Sequence, residues 1–172
     1  ARAVADTGRE PVVAVDPHTA ALGVGTLAPR DTRGEFLENI TTAGVRDHVT
    51  LMHQTSVEAA RDWDGEPVRL QFVDGWHTRE AVREDVRSWA QWFTPDALVV
   101  FDDYMVFDGI REAVRELQRD GLVRDEGVVV GKMAAFGPRH LLEQAPAPPG
   151  GRALMRLADD RRERLIRFAS RT

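Results

Sequence analysis

The chain has 172 residues, of which 42% are hydrophobic and 30% charged, with a formal net charge of −5. That is the size of one globular domain with enough apolar content for a core, and the acidic balance argues against a protein that holds nucleic acid by bulk charge. The absence of cysteine excludes disulfides and thiolate chemistry, and no apolar run reaches the roughly 20 residues of a membrane span.

Residues 1–7 read as the last turns of a helix stopped by Gly8. Val12, Val13, Ala14 and Val15 read as a short buried strand ending at Asp16 and Pro17. Gly23, Gly25 and Pro29 mark residues 18–31 as a loop. A helix is expected over 32–43, with Phe36, Leu37 and Ile40 on one face and Gly44 as its stop. Residues 49–53 read as a second strand, after which Ser56 is placed to cap a short helix over 57–63. Residues 68–73 form a third strand. Thr78 then caps a helix running to about residue 92, with Glu80 placed well for the helix dipole. A fourth strand covers 98–101. A helix over 109–119 turns Ile110, Ala113, Val114 and Leu117 inward and ends at Gly121. Residues 122–123 and 128–136 are expected to close as a hairpin across Asp125, Glu126 and Gly127.

Alternating strands and helices of these lengths predict a doubly wound α/β sheet, mostly parallel, with an antiparallel C-terminal hairpin. The expected organisation is an α/β domain over 1–137, a Pro/Gly-rich linker over 138–151 and an arginine-rich helical tail over 152–172. Its arginines, Arg161, Arg162 and Arg164, read most simply as a solvated face. The only lysine is Lys132, which reflects either a coding bias toward arginine or tuned chemistry.

Two further strands, besides the one before Asp16, end in carboxylates. Asp74 follows the third strand, and Asp102 and Asp103 follow the fourth. A buried strand ending in an unpaired charge is costly, which makes such ends site signals. If the two strands are neighbours, three carboxylates meet at the rim where open α/β sheets bind ligands. Adjacent strand residues face opposite sides, so Asp102 and Asp103 converge only if the chain turns directly after Phe101. Such a trio suits Mg²⁺; otherwise the three are a cap, a turn residue and a solvated acid. His77, three residues after Asp74, is either a general base or a first-turn histidine bonded to backbone. His18 and His53 have weaker claims. Trp76, Trp89, Trp92, Phe101 and Phe107 are candidates for an acceptor pocket, with Trp89 and Trp92 better suited to the core. Tyr104 and Phe107 are the better pocket candidates.

The stretches Val12-Val13-Ala14-Val15-Asp16-Pro17, Gln54-Thr55-Ser56, Phe72-Val73-Asp74-Gly75-Trp76-His77-Thr78-Arg79-Glu80, Asp85-Val86-Arg87-Ser88-Trp89 and Val99-Val100-Phe101-Asp102-Asp103-Tyr104 occur in a telling order. Together they resemble the class I S-adenosylmethionine-dependent methyltransferases, in the branch of bacterial small-molecule and sugar O-methyltransferases. The resemblance covers about residues 1–136 and implies a Rossmann-like sheet. It places the family's first strand and glycine-rich turn upstream of Ala1, so the chain is expected to be a fragment or a variant relative lacking them.

The resemblance further implies S-adenosylmethionine as cofactor, with Asp16 on the ribose, Gln54, Thr55 and Ser56 at the adenine edge, and Asp74 also near the cofactor. It implies Mg²⁺ on Asp74, Asp102 and Asp103, and proton removal by His77 or Asp74. The expected partner is a small-molecule or sugar acceptor, with no nucleic acid and no membrane. A homo-oligomer is left open, and cytoplasmic location is the expectation. Competing readings are a non-catalytic or truncated methyltransferase-like domain, a nicotinamide-dependent oxidoreductase using Asp16, and a metal-dependent hydrolase using the carboxylates.

Overall fold

The structure, a computed structural model, describes residues 2–8, 11–18, 32–144, 153–156 and 164–167. The loop expected at 18–31 therefore falls almost wholly outside the described residues, as does the part of the expected linker 138–151 that follows Gln144; the part before it holds the helix Arg139–Gln144 and is not a linker. The chain divides into two compact units, Ala1–Trp63 and Asp64–Thr172.

The first unit holds α1 (Arg2–Thr7), β1 (Val12–Val15), α2 (Arg33–Thr42), β2 (Val49–Met52) and α3 (Ser56–Asp62). β1 and β2 pair in parallel, with Val12 opposite Val49 and Val15 opposite Met52. Gly8 and Gly44 end α1 and α2 with φ of +63° and +64°, a conformation open to glycine at no steric cost. The cap of α3 is Thr55 and not Ser56. Thr55 Oγ1 accepts from the Glu58 backbone N–H, and the Glu58 carboxylate accepts from the Thr55 N–H at 3.0 Å. Thr-x-x-Glu is the capping-box signature, and it was present in the sequence one residue ahead of the expected position.

The second unit holds β3 (Val68–Val73), α4 (Arg79–Trp89), β4 (Phe93–Phe101), α5 (Asp108–Arg119), β5 (Glu126–Val130), β6 (Met133–Phe136), α6 (Arg139–Gln144), β7 (Ala153–Arg156) and β8 (Arg164–Arg167). Its sheet runs β3-β4-β6-β5-β7-β8, parallel between β3 and β4 and antiparallel from there outward. The α/β class and the antiparallel C-terminal strands expected from the sequence are therefore present. Thr78 caps α4 by accepting from the Ala81 N–H. Val82, Val86 and Trp89 of α4 and Ile110, Ala113, Val114 and Leu117 of α5 recur at three- and four-residue spacing and are buried. The core they share includes Val73, Val99, Phe101, Ala134 and Phe136 from the strands. Each large side chain fully buried there contributes about 1.5–3 kcal/mol.

Three boundaries differ from the sequence reading. β4 begins at Phe93, not at residue 98, because Pro95 lies in an irregular stretch where the register with β3 shifts, and a proline is tolerated at such a bulge. The hairpin turns at Gly131 and Lys132, not at 125–127; Gly131 takes φ +60° there. Residues 153–156 and 164–167 are strands extending the sheet beyond β5, not turns of a helical tail. The open edge of β5 offers backbone partners that an isolated arginine-rich helix would lack.

Candidate active site

Val73 and Phe101 are partners in the parallel pairing of β3 and β4, so the next residues, Asp74 and Asp102, leave the sheet side by side. The Asp102 N–H donates to the Val73 carbonyl at 3.0 Å, holding the two strand ends together. The chain then turns at once. Asp103 adopts φ +50°, and its carbonyl accepts from the N–H groups of Val106 and Phe107. A non-glycine residue in this region carries strain, and here the turn swings the Asp103 carboxylate round to the side of Asp102. The condition set by the sequence, a turn directly after Phe101, is met.

A cation stands between the two carboxylates. Lys132 Nζ donates to Asp102 Oδ2 at 2.7 Å and lies 2.9 Å from Asp103 Oδ1. The hairpin is pinned to this turn by the Met105 N–H, which donates to the Lys132 carbonyl at 3.1 Å. Asp102 is buried at 8% exposure and so depends on a partner. Lys132 supplies it and holds the Asp102 carboxyl below the usual aspartate range. Asp74 shifts the other way: partial desolvation raises it, with the charge of Asp102 and a hydrogen bond between the two carboxyls adding to the effect. Within the Asp74–Asp102 pair the proton therefore prefers Asp74.

His77 faces the same rim. Its ring stacks on Phe107 with centroids 4.4 Å apart and planes 13° from parallel. Its Nε2 is 3.6 Å from Asp103 Oδ2, and neither buried ring nitrogen has a hydrogen-bond partner. The reading of His77 as a first-turn histidine bonded to backbone is thus not what the structure shows. The start of α5 seats it: a Cβ on Gly109 would lie 2.6 Å from the His77 carbonyl oxygen. Trp76, Met105 and Val106 flank the rim in sequence and are exposed. Tyr104 and Phe101 are buried core residues, each packed edge-on to Phe136. A cleft of about 570 Å³ in this unit is lined by Phe93, Pro95, Gln118 and Arg124. It lies at the start of β4, at the end of that strand away from the carboxylates.

The three aspartates do not form a metal cage. Among the described residues there is no group of three or more His, Asp or Glu side chains that could hold an ion. Lys132 already fills the space between Asp102 and Asp103, so a divalent ion would have to displace its ammonium to reach either carboxylate. The donor set as folded does not fit Mg²⁺.

In the first unit, Asp16 lies exposed at the end of β1, and its Oδ1 accepts from the His18 N–H at 2.6 Å. His18 takes φ +51° and is buried, with Nδ1 3.1 Å from Thr32 Oγ1. His53 Nε2 donates to the Pro17 carbonyl at 2.8 Å. Gln54 donates to Asp62 at 3.0 Å, Thr55 is the α3 cap and Ser56 is the first residue of that helix. These residues share the C-terminal end of the β1–β2 pair, and each has a local structural task.

A model of the methyltransferase domain matches residues 1–104. The chain belongs to the methyltransferase domain family. The matched stretch contains Asp16, Gln54, Asp74, Asp102 and Asp103, and it ends before Lys132. Among solved structures, the chain is similar to the O-methyltransferase NovP at 14% identity and a TM-score of 0.63, covering 77% of this chain and 62% of NovP. It is also similar to precorrin 8w decarboxylase from Methanobacterium thermoautotrophicum (18% identity, TM-score 0.53, 78% and 72% covered). An O-methyltransferase from Bacillus cereus, solved in complex with SAH, matches at 12% identity and a TM-score of 0.51 over 80% and 78% of the two chains. At such identities the likeness establishes the shared fold. The chain spans less than two thirds of the length of NovP. Among the described residues no helix is long and apolar enough to cross a membrane.

Proposed function

We propose that the protein transfers a methyl group from S-adenosylmethionine to a hydroxyl of a small-molecule or sugar acceptor. The observation that carries this reading is the convergence of Asp74, Asp102 and Asp103 on the in-register ends of two parallel strands. That rim lies inside the stretch matched by the methyltransferase domain.

Asp16, exposed at a strand end, presents an acceptor-only carboxylate suited to paired ribose hydroxyls. Gln54 is the polar side chain best placed after β2 for an adenine edge, on exchanging Asp62 for the ligand. When bound, S-adenosylmethionine supplies an electrophilic methyl on a sulfonium. The protein must then orient the acceptor oxygen and accept its proton.

His77 suits that task. It is held flat by Phe107, neither of its ring nitrogens has a hydrogen-bond partner, and its Nε2 lies 3.6 Å from Asp103 Oδ2. With the methyl donor bound, a His77 ring nitrogen would take the proton that the acceptor hydroxyl loses. Trp76, Met105 and Val106 offer apolar surface for the body of the acceptor. No step is assigned to Mg²⁺, because two of the three carboxylates, Asp102 and Asp103, are engaged with Lys132.

Calorimetric titration of S-adenosylmethionine against the protein should show saturable binding. Incubation with hydroxylated acceptors should then yield products 14 mass units (about one CH₂) heavier. Binding of NADH in place of S-adenosylmethionine would overturn the reading.

A further inference from the structure

The three aspartates invite a divalent ion, and the fold brings them something else. We infer that Lys132 is the built-in cation of this rim: its ammonium takes the place of a divalent ion between Asp102 and Asp103 and positions both carboxylates.

Two independent observations support this. The first is geometric. β6 runs antiparallel to β4 with Phe101 opposite Ala134, so continuing that register two residues past the strand end sets Asp103 opposite Lys132. The hairpin tip is fastened there by the Met105–Lys132 backbone bond, and Nζ meets one oxygen from each of the two aspartates at 2.7 and 2.9 Å. The second is compositional. One lysine and 22 arginines make up the 23 basic residues, and the lysine stands at this point alone. An ammonium is a compact point charge with three donors that can bridge oxygens on adjacent residues. A guanidinium is a planar fork matched to a single carboxylate. In a chain that otherwise uses arginine throughout, the one site that calls for the compact cation carries it.

Lys132 is therefore a positioning residue. Its single positive charge bridges two carboxylates and offsets one of their two negative charges, and a divalent ion could enter between them only by displacing it. Two cations at contact distance repel, so Lys132 and the metal compete for the same oxygens.

Titration of Mn²⁺ against the intact protein, followed by the electron paramagnetic resonance signal of free Mn²⁺, tests this without any assay of turnover. The wild-type protein should not deplete the signal at Mn²⁺ concentrations up to about 1 mM, whereas Lys132→Met should bind at least about tenfold more tightly. Lys132→Arg, whose fork matches a single carboxylate, should exclude Mn²⁺ less completely than wild type but more than Lys132→Met, and Lys132→Met combined with Asp102→Asn should lose the gained affinity. Lys132 is half-exposed at a turn, and methionine keeps its stem, so the variant is expected to fold; circular dichroism checks it. Two results overturn the inference: wild type binding Mn²⁺ as tightly as Lys132→Met, or folded Lys132→Met gaining nothing. The inference rests on the proposed acceptor rim for its meaning but not for its test. Mn²⁺ exclusion and S-adenosylmethionine binding are measured separately, and either can fail alone.

Discussion

At the ends of β1 and β2, polar side chains serve their own backbone. Asp16 accepts from His18 two residues on, Thr55 caps the helix that it begins, and Gln54 reaches Asp62 on that same helix. At the ends of β3 and β4 the partners come from far along the chain. Asp102 meets Lys132 thirty residues away, and Asp103 lies beside His77. A local partner is what a turn or a cap would recruit anyway. Charges gathered from three elements, one of them buried, need a reason beyond local folding. The contrast makes the β3–β4 rim the stronger candidate for chemistry and leaves Asp16, Gln54 and Thr55 to be tested for a second duty.

The largest expected effect breaks the rim. Asp102→Ala should lower turnover by about 10²-fold, the scale of losing one preorganised electrostatic group, measured as kcat with S-adenosylmethionine saturating. Unchanged turnover would move the chemistry elsewhere. Next comes the seat of His77. Gly109→Ala forces a Cβ to within 2.6 Å of the His77 carbonyl oxygen and should cost about 1–3 kcal/mol in urea unfolding, with a fall in kcat as the ring shifts.

A smaller effect sharpens the other side of the comparison. Thr55→Ala removes the capping box and should cost about 1 kcal/mol of stability, read from the urea midpoint. If its only task is the cap, the dissociation constant for S-adenosylmethionine stays unchanged. A weakened constant would add cofactor contact to its role.

The smallest effect is one of sign. Asp102, held below the ordinary value of 3.8, contributes stability that is present above 3.8 and is lost as pH falls through its own lower pKa. Asp74, held above 3.8, contributes stability that is present below 3.8 and is lost as pH rises through its own higher pKa. At pH 7, Asp74→Asn should raise the melting temperature and Asp102→Asn should lower it, each by a few degrees, about the shift of a 1 kcal/mol change in a chain of this size. At pH 3 the gain from Asp74→Asn should vanish. Thermal melts at the two pH values decide it, and matching signs at pH 7 would refute the shared-proton arrangement of the pair.

Most of the elements could be read from periodicity. The α4 and α5 faces, the Thr78 cap and the glycine stops at 44 and 121 follow from spacing and backbone freedom alone. The errors have physical sources too. Asp125-Glu126-Gly127 has turn composition, but the chain stays extended there, and the valine run that follows looks continuous until Gly131 takes a left-handed conformation. In the sequence, Lys132 at that turn stands out by composition alone. No local pattern says which strand a hairpin tip will face, since that depends on pairing between residues about thirty positions apart.

By itself the sequence determined an α/β chain with acidic strand ends, because hydrophobic spacing and the cost of a buried charge are local properties of the residues. Tertiary structure decided which of those acids meet, what neutralises them and that a histidine stands bare beside them. Register between β3, β4 and β6 sets those distances, and register is a property of the assembled sheet.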